Sequence, residues 1–282
     1  MSKNETNIEL MSLFWTTAGI FPGDGEMSRF DFKDRVVAAA RAGFKGIGIW
    51  HTDLEHITLH RSLKEMKSIL DDNDIKYVEL EFLTDWFLEG GRKAESDNRK
   101  RRLLEASAAL NAKHVKIGDF YNSVCPMPRL VESFAALCAE AEKYGARIGF
   151  ELMQCAMIDN LEDARAMVET AGAKNGGIIL DILQVVNLGI SFEKISCIPL
   201  QYLMGIELND GTLPGSLHED PTRARRYCGE GEYDIKGLIN CAQGMGFAGP
   251  WAVEVMSKEL AGLPLEELAR QAFDTTMAEF GE

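Results

Sequence analysis

Four acidic residues stand inside apolar runs: Glu151 in "GFELM", Asp181 in "ILDIL", Glu207 in "GIELN" and Glu254 in "AVEVM". A carboxylate in such a setting is costly unless it is paired, protonated or bound to a cation. If the four meet at one point they repel, and a divalent ion held by oxygen ligands relieves the repulsion. A metal flanked by carboxylates suits proton transfer next to a carbonyl. The competing reading is that each acid is an isolated, ion-paired or outward-facing residue.

What could bring them together is the pattern around them. Short apolar segments with strand character fall at 10–15, 46–50, 77–83, 114–120, 147–153, 177–182, 202–208 and 251–256. Segments with helical spacing fall between them at 30–44, 99–112, 129–145, 160–172 and 264–280, two of them ending at Gly43 and Gly145. Eight such strands alternating with helices in one domain, residues 1–282, predict an α/β fold, the (β/α)8 TIM barrel. The alternative is a doubly wound open sheet, but no GxGxxG follows the first strand. In a barrel the functional residues gather at the C-terminal strand ends, and neighbouring strands lie about 4.8 Å apart. The four acids occur late in strands five to eight, so the barrel predicts one metal centre.

Composition narrows the partner. A net charge of −14 repels phosphate backbones and argues against nucleic acid. No apolar run is long enough for a membrane span, and the opening "MSKNETNIEL" lacks the apolar segment of a secretory signal. The six cysteines form no CxxC pair, so a reducing cytoplasm is the expected location.

With these residues in place, the chain resembles the sugar phosphate isomerase/epimerase family of xylose-isomerase-like barrels. Members include hydroxypyruvate isomerase, ketose 3-epimerases, inosose dehydratase and one class of 3-dehydroshikimate dehydratase. The order of the four acids carries the resemblance, together with "CGEGEYDIKGLI" (228–239), which is similar to the family's GEGxxD signature. The resemblance implies that Glu151, Asp181, Glu207 and Glu254 hold one divalent metal. Relatives usually have a neutral third ligand, His or Gln, where this chain has Glu207. An all-carboxylate set favours Mn2+ or Mg2+ over softer ions. Many relatives carry a histidine where this chain has Gln184 in "DILQ", so a relay through that histidine is not expected.

Further candidates surround this set. Lys116 in "HVKIGDF" shares the inward parity of His114 and is a candidate catalytic cation. Glu81 in "ELEFL" is placed to bind substrate hydroxyls or to pair with Lys116. His51 follows strand two at the catalytic face and titrates near neutrality. Trp15, Trp50 and Trp86 end strands or begin loops there and could wall the substrate. The long loop 211–231 holds His218 and Arg226; relatives often place a substrate-facing arginine just before GEG, which makes Arg226 the expected anion binder.

The expected activity is a divalent-metal-dependent isomerase or epimerase. It acts on a keto-sugar or related hydroxy-ketone through a metal-stabilised enediolate, with Glu151 and Glu254 moving the proton. A dehydratase or lyase on a cyclic polyol ketone uses the same site and is the alternative. An abasic-site endonuclease on a related barrel needs a histidine-rich zinc cluster that five scattered histidines do not provide. The expected partner is a small-molecule sugar or polyol ketone. Homo-oligomer formation is left open.

Overall fold

The computed structural model describes residues 8–121, 123–154, 156–214 and 225–281. Eight parallel strands close into a barrel in sequence order: β1 (Leu10–Ser12), β2 (Gly46–Trp50), β3 (Tyr77–Leu83), β4 (His114–Ile117), β5 (Ile148–Glu151), β6 (Gly176–Asp181), β7 (Leu203–Leu208) and β8 (Trp251–Val253). The ring closes where Leu10 pairs with Trp251 and Ser12 with Val253. No helix among the described residues is long and apolar enough to cross a membrane.

Each strand is buried along nearly its whole length, because one face meets the barrel interior and the other the helical layer. Ile47, Leu80, Val115, Ile148, Ile178 and Ile206 belong to the large apolar cluster that joins strands to helices. Local chemistry sets the helix ends. Asp31 accepts a hydrogen bond from Lys33 N to start Phe32–Ala42, and Gly43 ends it at φ 116°. Ser62 and Glu65 form a capping box on Leu63–Asp72.

Several sequence expectations change, and β4, β5 and β8 end at Ile117, Glu151 and Val253, earlier than their apolar runs. The first strand stops at Ser12, and Phe14–Thr17 turn into a short helix, so Trp15 leaves the strand and stands on that turn. The helix expected from residue 99 begins at Gly91. Its first turns, "GRKAESDN", show no apolar stripe; Lys93 and Lys100 both pair with Asp97 there.

Candidate metal centre and cleft

Register aligns the acids. Glu151 and Asp181 are the last residues of β5 and β6, Asp181 lies opposite Glu207 on β7, and Glu254 directly follows β8 with its N–H donating to the Leu208 carbonyl. All four side chains are buried, and each offers one carboxylate oxygen within 4.8 Å of the others. Oxygen ligands about 2.1–2.4 Å from a shared divalent ion lie no more than about 4.8 Å apart, so the set fits such an ion. Glu207 Oε2 is buried with no hydrogen-bond partner, an oxygen that a cation would satisfy. Asp181 is held in place through Oδ1, which accepts from Leu183 N and Asn209 Nδ2, both at 2.8 Å.

Two more acids join from β3. Glu81 Oε1 accepts from Phe14 N at 3.2 Å, and Glu79 Oε2 lies 2.6 Å from His114 Nε2. Gly48 on β2 leaves the room that Glu81 occupies, since a Cβ there would come within 2.0 Å of Glu81 Oε1. Among the described residues, Lys116 and Arg225 are the cations within 4 Å of these six carboxylates. Acid therefore outnumbers base, and protons or a metal must make up the difference. Burial pushes Glu207 well above the usual carboxylate range against the pull of Lys116. It pushes Glu81 and Glu151 each up to about 8, and raises Asp181 against the pull of Arg225. Glu254 is the exception: burial raises it, but Lys116 and Arg225 together outweigh burial and hold it low.

A cleft of about 450 Å³ opens onto this cluster. Its polar lining includes Glu151, Glu254, Arg225, Gln154 and Gln184, and its aromatic lining Trp15, Trp50, Phe82 and Phe120. Trp50 stacks on Phe82 at 5.9 Å between centroids, and Phe82 on Phe120 at 4.6 Å. Gln184 is tied down by the Gln154 N–H, which donates to its Oε1 at 3.0 Å.

The expected site residues divide accordingly. Lys116, Glu81, Trp15, Trp50 and Gln184 lie at the cluster or its cleft. His51 is buried beside Trp50, with Nε2 3.9 Å from Glu26 Oε2 at the cleft, and burial pushes its pKa down to about 3. Trp86 packs instead on Phe87 and Phe134 in the helical layer. His218 lies outside the described residues. Arg226 requires a correction. Its side chain is exposed and donates to the Glu230 carbonyl, while the neighbouring Arg225 is the cation that turns inward. The two arginines sit in an irregular segment where only Arg226 pairs with Asp210, so strand alternation could not have assigned their directions.

Sequence reasoning also missed Asp210. Its carboxylate accepts four backbone N–H groups, from Gly211, Gly229, Gly231 and Tyr233, at 2.8–3.0 Å. The GEG segment thus wraps one aspartate, and a Cβ on Gly231 would come 2.3 Å from Asp210 Oδ1. Met153 and Met256 were missed as cleft residues although a signal existed: "ELM" and "EVM" place each two residues beyond a metal-site glutamate, at matching parity.

The chain is similar to 3-dehydroshikimate dehydratase of Pseudomonas aeruginosa, with 24% identity over 242 residues, covering 82% of this chain and 37% of the relative. It thus spans little more than a third of that dehydratase. Inosose isomerase of Halalkalibacterium halodurans is 23% identical over 227 residues, covering 77% of this chain and 79% of the relative. Among solved structures, the IolI protein with a bound zinc atom superposes with a TM-score of 0.83 at 20% identity, over 96% of this chain and 98% of that one. D-Allulose 3-epimerase from Methylomonas sp. in complex with D-allulose gives a TM-score of 0.74 at 16% identity, over 96% and 97% of the two chains. Residues 36–278 match the model of the xylose isomerase-like TIM barrel, and the chain belongs to that family.

Proposed function

We propose that this protein is a divalent-metal-dependent isomerase or epimerase that moves a proton at the carbon next to the carbonyl of a hydroxy-ketone. The observation that carries the reading is the position of Glu151 and Glu254. Both belong to the convergent carboxylate set, and both line the cleft. Glu151, Asp181, Glu207 and Glu254 would hold the ion, and their hard oxygen donors suit Mn2+ or Mg2+. When bound, the ion supplies Lewis-acid polarisation of a substrate carbonyl.

The chain's own residues divide the proton work. The environment pushes the two glutamates apart: burial raises Glu151 to about 8, while Lys116 and Arg225 overcome burial at Glu254 and hold it low. A pair split in this way provides an acid and a base across one substrate. Glu254 takes the α-proton, and Glu151 delivers one to the neighbouring carbon or to the opposite face. The first outcome is isomerisation and the second epimerisation. Arg225 fixes Glu254 toward the cleft. Trp50, Phe82 and Phe120 exclude water from one side and offer flat apolar surface to a ring. That wall favours a cyclic polyol ketone, in keeping with the inosose isomerase relative.

The second reading, dehydration of a cyclic ketone, is favoured by the Pseudomonas dehydratase relative. It needs the same proton abstraction followed by loss of a β-hydroxyl. One experiment separates them. Inososes, ketohexoses and 3-dehydroshikimate are incubated with the Mn2+-loaded protein in D2O and followed by proton NMR. Deuterium entering at the α-carbon with no change in mass balance of water supports isomerase or epimerase. A new alkene or aromatic signal supports the dehydratase. Neither exchange nor an alkene or aromatic signal with any of these hydroxy-ketones rejects both.

A further inference from the structure

Lys116 reaches from β4 into the barrel with its side chain 1% exposed. Its ammonium lies 2.8 Å from Glu207 Oε1, 3.2 Å from Glu79 Oε1, 3.4 Å from both Glu81 Oε2 and Glu254 Oε1, and 3.7 Å from Glu151 Oε2. An ammonium has three N–H donors and cannot satisfy five acids. It hydrogen-bonds Glu207 and Glu254. Glu79 Oε1 and Glu81 Oε2 stay buried without a hydrogen bond and face the ammonium at 3.2 and 3.4 Å. A positive centre ringed by carboxylate oxygens describes an ion in its coordination shell as well as it describes this lysine.

Glu207 shows how this inner ring joins the outer one. Its Oε1 is taken by Lys116, while its Oε2 has no hydrogen-bond partner and belongs to a residue of the convergent set. With one oxygen on the ammonium and the other left free for an ion, Glu207 would bridge the two positions.

We propose that the Lys116 ammonium is a built-in counter-cation filling an inner cation site made by Glu79, Glu81 and Glu207, and that it limits the cluster to one exchangeable divalent ion. The proposal rests on the outer four carboxylates being the metal centre described above. Its consequence is specific: taking away the side chain while leaving the acids opens a place for one additional ion. Volume matters as well as charge, because a second ion needs the space that the ammonium vacates.

The test counts Mn2+ per chain, by elemental analysis after equilibrium dialysis against saturating Mn2+. Wild type is expected to hold one ion and Lys116→Ala two. Lys116→Met removes the charge but keeps most of the volume and is expected to stay at the wild-type count. A gain in that variant too would place the extra ion elsewhere and overturn the assignment. Lys116→Ala combined with Glu81→Gln removes the cation together with one of the crowded acids while the Gln keeps a carbonyl oxygen in the inner site, so it lightens the acid excess and provides the count if Lys116→Ala alone is not recovered folded. It too is expected to gain one ion. No gain in either alanine variant overturns the proposal. A wild-type count of zero rejects the outer metal centre instead, which keeps the two failures distinct.

Discussion

Arg225 grips Glu254 twice, its Nη1 donating to the backbone carbonyl at 3.0 Å and to the carboxylate. Its Nη2 meanwhile lies 2.8 Å from Asp181 Oδ2. One guanidinium therefore ties the residue after β8 to the end of β6, and its planar fork suits that double duty in a way an ammonium does not. The segment that carries it is latched by the four N–H groups around or near Asp210, so loop and metal centre are built as one unit.

Replacing Arg225 with Ala leaves buried Asp181 without its cation and Glu254 with Lys116 alone. Stability should fall by about 3–5 kcal/mol, the scale for breaking a buried pair on one side. Added Mn2+ should recover part of the loss. Arg226→Ala should change stability by no more than about 0.5 kcal/mol, as for an ordinary surface position. Urea unfolding of the two variants, with and without Mn2+, decides. Equal destabilisation would mean that the inward and outward assignments are wrong.

Metal binding should release protons. Burial raises Glu151 to about 8 and Glu207 well above the usual range, so the ion-free site carries protons at pH 7 that a divalent ion must displace. Affinity should therefore rise with pH between about 6 and 8, by roughly tenfold per unit for each proton lost. Calorimetric titration of Mn2+ in two buffers of different ionisation enthalpy measures the number released. A count of zero, with pH-independent affinity, contradicts the charge imbalance described here.

The barrel and the four acids were legible because both rest on periodicity. The acids stood out because each lies late in an apolar run that reads as a strand, and Lys116 because it shares the inward parity of His114. What escaped lay outside regular structure. Arg226 exchanges backbone hydrogen bonds with Asp210 while Arg225 N donates to the Met256 carbonyl, long-range pairings that no local pattern announces. Trp15 stood on an apolar run that reads as strand, yet the chain turns into a helix after Ser12. Trp86 and Trp50 look alike in sequence; only the helical layer around Phe134 distinguishes the one in the core from the one at the cleft.

His51 predicts how acid affects the fold. Burial depresses it to about 3, against about 6.5 in an unfolded chain. Above pH 6.5 it is neutral in both states and its stabilising effect is complete. As pH falls from 6.5 toward 3, the unfolded state takes up a proton that the folded state refuses, so stability drops by up to about 1.4 kcal/mol per pH unit. His51→Gln removes that pH dependence. Unfolding free energies of both proteins between pH 7 and 5 should diverge in slope by this amount. Parallel slopes would mean that His51 is protonated in the fold.

The chemistry is tested at Glu151 and Glu254. Each is expected to act on a substrate proton while offering an oxygen to the metal, so activity and metal binding have to be read separately. A Gln at either position keeps the size and one carbonyl oxygen but cannot accept a proton as a carboxylate does. The rate of deuterium entry into the substrate should fall by about 10²-fold or more, the scale of general acid/base catalysis. The two variants should also differ. Glu254 is held in the ionised form by Lys116 and Arg225 against its burial, so Glu254→Gln removes the base and should abolish exchange at the α-carbon. Glu151→Gln removes the group that returns the proton, so it should slow product formation more than exchange. Mn2+ affinity, measured on the same preparations, shows whether the metal is still bound. Full turnover in both metal-loaded variants would exclude proton transfer by these glutamates.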